Sequence, residues 1–130
     1  NENFADDYLD LVKNETLQRF DLTTGEFIKD TKQTKVLKLN RKKLAETIIL
    51  KDPTSNYVRL TNGKQFVEVQ TKDYPYLAFW SKPQAPFVCL EPWQGHSDFK
   101  ENHTPFAKRE GTIVLDPGKH YRFRNYILIG

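Results

Sequence analysis

The 130-residue chain has no methionine, a single cysteine and no long apolar segment. Because methionine is absent, Asn1 is not a translation start, which predicts that the chain is a piece of a longer protein. Cys89 cannot form an internal disulfide, and its position between Val88 and Leu90 predicts a buried thiol in a reducing compartment, the cytoplasm. No segment approaches the ~20 apolar residues of a membrane span, and no signal-peptide pattern is present, so no membrane partner is expected.

The charged residues exclude several function classes. The net charge of +3 comes from 20 basic and 17 acidic residues. The densest basic run, Arg41 to Lys43, predicts a solvated loop rather than a nucleic-acid patch. Phosphate loops, dinucleotide fingerprints, paired-cysteine zinc patterns and nucleophile elbows are absent. His96, His103 and His120 lack the spacing of metal ligands, so no metal is expected. The apolar neighbours of Cys89 would raise its pKa and disfavour it as a nucleophile.

Short apolar or alternating segments recur along the chain, and 3.6-residue periodicity is not convincing, so no helix longer than about two turns is expected. The pattern predicts an all-β protein with an antiparallel sandwich or barrel. Asn62-Gly63 predicts a tight hairpin between its two flanking strands. The predicted strands are Tyr8–Val12, Lys35–Leu39, Thr47–Leu50, Tyr57–Leu60, Gln65–Val69, Tyr76–Trp80, Phe87–Leu90, Thr112–Leu115 and Tyr121–Ile129.

The segment PFVCLEPWQG, residues 86–95, places a carboxylate at the end of an apolar strand. Burying an ionised carboxylate is costly, and sites that accept this cost tend to be functional. Glu91 is therefore the strongest catalytic candidate, with a solvated strand end as the alternative. Trp80 shares a strand face with Ala78 and forms either a ligand shelf or ordinary core. Asp98 is expected to be structural, and Glu46 either accepts from a substrate hydroxyl or sits at a solvated strand edge.

Three segments occur together in an order that resembles one family. They are YLAFWSKP at residues 76–83, PFVCLEPWQG followed by Asp98, and KREGTIVLDPG at residues 108–118. They resemble the C-terminal half of the aldose 1-epimerase (galactose mutarotase) family, nearest to the mutarotase-like proteins of bacterial lactose and sugar operons. That branch carries W-S-K-P, E-P-W-x-G-x-x-D and K-E-G-x-x-x-L-x-P-G segments, and Arg109 stands here where the last has lysine. The segments before residue 60 fit only loosely.

The resemblance implies an antiparallel β-sandwich of the galactose mutarotase-like supersandwich type, with residues 1–130 as one unit, its C-terminal half. It implies an isomerase of carbohydrate metabolism that interconverts the α and β anomers of aldoses such as galactose, with neither cofactor nor metal. The residue that matches the catalytic glutamate is Glu91, which removes the proton of the C1 hydroxyl. Trp80 matches an aromatic residue on a strand that faces the site. Trp93 offers a flat face for a sugar ring, and Asp98 belongs to the matched motif.

The chain also departs from the family pattern. The two site histidines of the family belong to its N-terminal half, and none of the three histidines here matches them. This branch of the family has an asparagine-aspartate pair before the strand at Ile48, and its aspartate contacts sugar hydroxyls. Here Ala45-Glu46 replaces that pair, in a segment one residue shorter. Glu46 either performs that contact from further away or does not make it. Lys82 is the residue expected to act if the sugar is phosphorylated.

These departures predict that the chain alone is catalytically inert, because the histidine that assists at the ring oxygen is absent. A half sandwich exposes apolar sheet surface and open edges, so a partner is expected. The partner would be the N-terminal half of the domain or a second copy of the chain. Two other functions stay open: a carbohydrate-binding or sugar-sensing module without catalysis, and a structural interaction domain.

Overall fold

A computed structural model describes residues 7–20, 24, 26–96 and 104–130, and shows an almost entirely β structure. In these described residues, one short helix, α1 (Arg41–Ala45), and a 3-10 turn at Phe106–Lys108 accompany eight strands. The strands are β1 (Tyr8–Phe20), β2 (Phe27–Lys38), β3 (Ile48–Lys51), β4 (Tyr57–Thr61), β5 (Phe66–Gln70), β6 (Tyr76–Trp80), β7 (Cys89–Trp93) and β8 (Ile127–Ile129).

All eight strands belong to one antiparallel sheet in which β1 is the central strand. β2 pairs along one edge of β1, and the other edge is shared, because β4 pairs with the first part of β1 and β3 with the last part. From these two positions the sheet continues as β3-β6-β7 in one direction and as β4-β5-β8 in the other. The long central strand thus joins two smaller groups of strands.

A bend in β1 lets these two groups face a common core. Val12 has a positive φ of 67°, and the β1–β2 register shifts between Asp10 and Glu15. Such bulges turn a strand and allow one sheet to form two packed layers. The resulting core contains buried side chains from both groups: Leu9, Leu11, Leu17, Leu37, Leu44, Ile48, Leu50, Val58, Val69, Leu77 and Phe79.

A buried carboxylate holds the connection between β3 and β4 against this bend. The Glu15 side chain is 5% exposed. Its Oε1 atom accepts hydrogen bonds from the Thr54 hydroxyl at 3.0 Å, the Ser55 amide at 2.7 Å and the Ser55 hydroxyl at 2.6 Å. Three donors compensate the desolvation of the charge, so this glutamate acts as a clamp for a loop.

The structure confirms the all-β prediction and the hairpin at Asn62-Gly63, where Gly63 has a φ of 85°. The apolar strand expected at Phe87–Leu90 is wrong in its bounds, since β7 begins at Cys89 and Phe87 is 40% exposed. Cys89 is half-buried rather than buried. Apolar composition suggested the strand start, but hydrogen bonding to β6 determines it.

The last two predicted strands also differ from the structure. Thr112–Leu115 forms no strand, and within Tyr121–Ile129 only β8 is paired, with β5. A β-strand needs a neighbour for its backbone groups, and among the described residues β5 supplies one only from Tyr126 onward. No helix among the described residues is long and apolar enough to cross a membrane.

Candidate functional site

One face of the β3-β6-β7 group carries the polar residues that the sequence singled out. Because side chains alternate along a strand, three residues of β6 and three of β7 project from this face. They form three cross-strand pairs: Tyr76 with Trp93, Ala78 with Glu91, and Trp80 with Cys89. The opposite face of the same strands contributes Leu77 and Phe79 to the core. The site therefore lies on the side of the sheet away from the main core.

Glu91 lies on this face beside a small, buried residue of the neighbouring strand. Its neighbour across the ladder, Ala78, is fully buried, and beyond it Ile49 and Gln18 continue the same row into β3 and β1. The Trp93 indole Nε1 donates a hydrogen bond to Glu91 Oε2 at 3.1 Å. The carboxylate is thus half-buried, oriented by one donor and beside an aromatic plane. This is a suitable arrangement for an acceptor of a hydroxyl proton.

Cys89 lies two residues before Glu91 on the same face of β7. Burial, and then the neighbouring Glu91 carboxylate, raise the pKa of the Cys89 thiol. A raised pKa keeps the thiol protonated at neutral pH, and the thiolate is the reactive form. The direction of this shift favours the protonated thiol, as the apolar neighbours of Cys89 predicted from the sequence.

An aromatic cluster adjoins Glu91 on the other side of Trp93. Tyr76 is fully buried, and its ring stacks against Phe27 with a centroid distance of 6.0 Å. The His96 ring meets both edge-on, at 5.3 Å from Tyr76 and 5.7 Å from Phe27. Trp93 packs against the same group. This cluster fixes the indole that orients Glu91.

A charged pair closes the aromatic cluster. Lys51 Nζ lies 2.6 Å from Glu110 Oε1. The same nitrogen lies 5.8 Å from the centre of the Tyr76 ring and 6.0 Å from the centre of the Phe27 ring. The hydrogen bond from Lys51 lowers the pKa of Glu110. The Tyr76 hydroxyl oxygen is buried and has no well-formed hydrogen bond to a described residue. Burial, and then the nearby Glu110 carboxylate, raise the pKa of Tyr76, which stays protonated.

The ion pair of Lys51 and Glu110 also attaches the C-terminal part of the chain to the sheet. A close backbone contact at Gly111 provides a second attachment. Gln94 Nε2 donates to the Gly111 carbonyl at 3.1 Å. Gly111 has a φ of 80°, and a Cβ atom there would lie 2.1 Å from the Gln94 carbonyl oxygen and 2.8 Å from Gly95 Cα. The close approach of two backbones therefore requires glycine at this point of the KREG segment.

Gly111→Ala should destabilise the protein more than Gly118→Ala does. Both glycines have a φ of 80°, but a Cβ at Gly118 meets nothing within 4 Å. The Gly118 variant should lose about 1 kcal/mol through backbone strain alone. The Gly111 variant adds a backbone clash and should lose about 1–3 kcal/mol more, on the scale of overpacking. Urea unfolding followed by tryptophan fluorescence measures both; equal losses would show that the close approach does not matter.

The remaining predicted site residues lie in different places. Trp80 is half-buried on the Glu91 face and packs against Phe87 at 6.0 Å. Lys82 is exposed in the turn after β6. Glu46 follows α1 and forms an exposed ion pair with Arg19 at 3.0 Å. Arg19 is paired with Ile48, whose side chain belongs to the core face of the sheet. Glu46 lines a pocket that both residues share, so it lies away from the face that carries Glu91.

The predicted site residue Asp98 lies outside the described residues, as does His103. His120 lies on an exposed stretch of the C-terminal segment. Within the described ranges, no group of three or more His, Cys, Asp or Glu side chains converges in a way that could hold a metal ion.

Sequence reasoning missed Lys51, Tyr76 and Glu110, which the fold brings together from three distant segments. The signal for Tyr76 was present, since it shares the two-residue period of Ala78 and Trp80. Lys51 and Glu110 gave no local signal, because they are 59 residues apart and meet only through the sheet.

Comparison with solved structures identifies the architecture. A galactose mutarotase-like protein from Lactobacillus casei superposes with a TM-score of 0.74 at 23% identity, over 96% of this chain and 45% of that one. This chain has the galactose mutarotase-like fold. A galactose mutarotase related enzyme from Lactobacillus acidophilus superposes with a TM-score of 0.71 at 21% identity, over 99% of this chain and 45% of that one.

The fold predicted from the resemblance is therefore confirmed, and the chain spans less than half the length of these two structural neighbours. No protein-family model matches the sequence, and neither does any curated protein. At 21–23% identity the likeness establishes the fold, while the chemistry depends on the site itself.

Proposed function

We propose that the chain is the glutamate-bearing half of an aldose 1-epimerase-like protein, an isomerase that interconverts the α and β anomers of hexoses. The observation that carries the proposal is the Glu91 carboxylate, which accepts a hydrogen bond from the Trp93 indole at 3.1 Å. Its neighbour across the β6–β7 ladder is the small, fully buried Ala78. A sugar ring offers a hydroxyl to the carboxylate and its C–H face to an indole. The likeness to proteins described as galactose mutarotase-like and galactose mutarotase related supports a sugar as the ligand.

The proposed chemistry is general acid–base catalysis without a cofactor. Glu91 takes the proton from the C1 hydroxyl, the C1–O5 bond breaks, and an acid delivers a proton to the ring oxygen. The open-chain aldehyde rotates about its C1–C2 bond and closes on the other face, and the protons return. A positioned base contributes typically ~10²–10⁴-fold to such a rate, which makes Glu91 the residue with the greatest expected effect.

The acid is proposed to come from outside this chain. None of the chain's histidines matches a family site histidine, and the described His96 is packed edge-on against Phe27 and Tyr76. The proposed partner is therefore the complementary half of the domain, or a second copy of the chain, with the sugar bound between them. The 130-residue chain alone is expected to be catalytically inert.

Sugar binding by the chain alone is the first test. Titration of the ¹⁵N-labelled chain with galactose or glucose should shift the indole resonance of Trp93 and the amides of Ala78 and Glu91. Galactitol, the open-chain alcohol of galactose, has no ring and should not produce these shifts. The Trp80→Ala variant should weaken the response, whereas the exposed Phe106→Ala should not change it.

Other outcomes of the titration favour the two alternative functions. If no sugar perturbs either tryptophan, the proposal fails and a structural interaction domain becomes the better account. If hexoses bind but anomer exchange stays at the uncatalysed rate even with the complementary half present, the protein is a sugar-binding or sugar-sensing module. Preferential shifts with galactose 6-phosphate that disappear in Lys82→Gln would identify a phosphorylated ligand.

A further inference from the structure

Among the described residues, the exposed apolar surface is concentrated in the C-terminal arm, defined here as residues 104–130. Nine large hydrophobic side chains of the arm are 47–76% exposed. They are Phe106, Val114, Leu115, Tyr121, Phe123, Tyr126, Ile127, Leu128 and Ile129. In the rest of the described chain only Ile28, Val36 and Phe87 are comparably exposed. Such a concentration of exposed apolar groups is typical of an interaction surface.

The arm ends in a strand whose outer edge is not paired with any other described residue. Phe66 and Gly130 exchange both of their backbone hydrogen bonds, and the Gln70 amide donates to the Tyr126 carbonyl. Backbone groups in an antiparallel ladder alternate in direction, so the Leu128 groups also point towards β5. The N–H and C=O groups of Ile127 and Ile129 therefore point outward. Among the described residues, β8 pairs only with β5, so this outer edge is open.

The position of the arm is fixed before any partner binds. The Tyr74 hydroxyl donates to Asn125 Oδ1 at 2.7 Å, and the Tyr74 ring stacks on Phe123 at 5.9 Å. Tyr121 and Phe123 pack against each other at 4.8 Å. Together with the β5–β8 ladder, these contacts present a preorganised edge, which lowers the ordering cost of adding a further strand.

The arm also carries the whole net charge of the protein. It contains five basic residues, Lys108, Arg109, Lys119, Arg122 and Arg124, and two carboxylates, Glu110 and Asp116. The other 103 residues contain equal numbers of basic and acidic side chains, so the net charge of +3 resides in the arm. A surface with a net positive charge favours a partner with a net negative charge.

We propose that the outer edge of β8 and the basic C-terminal arm form the docking site for an acidic, strand-forming polypeptide. The partner adds a strand beside Ile127 and Ile129, covers the apolar side chains and neutralises the arm, a mode of recognition known as β-augmentation. Only the identification of this partner as the complementary half of the domain rests on the proposed function. A second copy of the chain is disfavoured as the partner, because two arms packed together would bring two surfaces of net charge +3 into contact.

Two peptides of opposite charge test this site on the 130-residue chain. The probe EVEVEVEVE and its counterpart KVKVKVKVK share length and apolar pattern and differ only in the sign of the charge. The acidic peptide should bind at least about tenfold more tightly in 50 mM than in 300 mM salt, and at least about tenfold more tightly than the basic one. On binding, the amides of Ile127 and Ile129 should become protected from hydrogen exchange.

Two substitutions at one position separate edge pairing from side-chain contact. Ile129→Pro removes the outward N–H without removing a bond to β5, whereas Ile129→Ala shortens the side chain and keeps that N–H. The proline variant should lose binding of the acidic peptide at least about tenfold, and the alanine variant should lose less. Equal losses would overturn the pairing. The exchange measurement on the unsubstituted chain tests the proposal independently if the proline variant folds poorly.

Three other outcomes would overturn the proposal. Equal affinity for both peptides would show that charge does not select the partner. Self-association in sedimentation experiments that Ile129→Pro abolishes would make a second copy the occupant. Tighter binding of a twelve-residue oligo(dT) without protection of β8 would assign the alternating basic and aromatic side chains of the arm to a nucleic acid. Sugar-induced shifts at Trp93 in the proline variant report on the proposed function separately.

Discussion

Glu91→Gln should lower the catalysed rate of anomer interconversion by about 10²–10⁴-fold in the form of the protein that includes the complementary half. Glutamine keeps the size of the side chain and can still accept the indole hydrogen bond of Trp93, but it cannot take a proton from the C1 hydroxyl. Polarimetry of freshly dissolved α-galactose or α-glucose measures the rate. Sugar binding should change little, because the remaining contacts persist.

Two further measurements control this result. Glu26→Gln, an exposed carboxylate outside the site, should leave the rate unchanged. Trp93→Phe keeps an aromatic face and removes the donor to Glu91, so it should lower the rate less than Glu91→Gln. Catalysis by the isolated 130-residue chain above its Glu91→Gln variant would contradict the expectation that the acid comes from outside the chain. An unchanged rate in the assembled Glu91→Gln protein would remove Glu91 from the mechanism.

Phe79→Ala should lower the free energy of unfolding by about 3–5 kcal/mol, the range for removing a large aromatic side chain from a core. Phe79 is fully buried and lies in the ladder between Ile48 of β3 and Leu90 of β7. Since a domain of this size has about 5–15 kcal/mol of stability in total, the variant should unfold at a much lower urea concentration. Circular dichroism and fluorescence during urea unfolding measure the change.

Phe106→Ala is the matched control, because the same atoms are removed from a side chain that is 71% exposed. Its free energy of unfolding should change by less than about 0.5 kcal/mol. A similar loss for both variants would mean that the face of β6 assigned to the core is wrong. That result would also remove the argument that Glu91 projects from the opposite face.

The sequence alone determined most of the strands and indicated the strongest candidate for a site residue. Alternating apolar residues predicted the strands from Tyr57 to Val69, and Asn62-Gly63 predicted their hairpin, because both signals depend on a few neighbouring residues. Glu91 was recognisable because a carboxylate beside an apolar run is unusual. The resemblance of the segments from Tyr76 to Gly118 predicted the fold, and the solved structures confirm it.

The tertiary structure decided what distant segments do together. The two-residue period placed Trp80 and Ala78 on one face, but only the register with β7 put Ala78 opposite Glu91. The strand expected at Thr112–Leu115 did not form, because local apolar character cannot supply a pairing partner. The pairing of Lys51 with Glu110 depends on strand order, which no local pattern in the sequence specifies. The same holds for the outer edge of β8, which is open within the part of the chain that the structure describes.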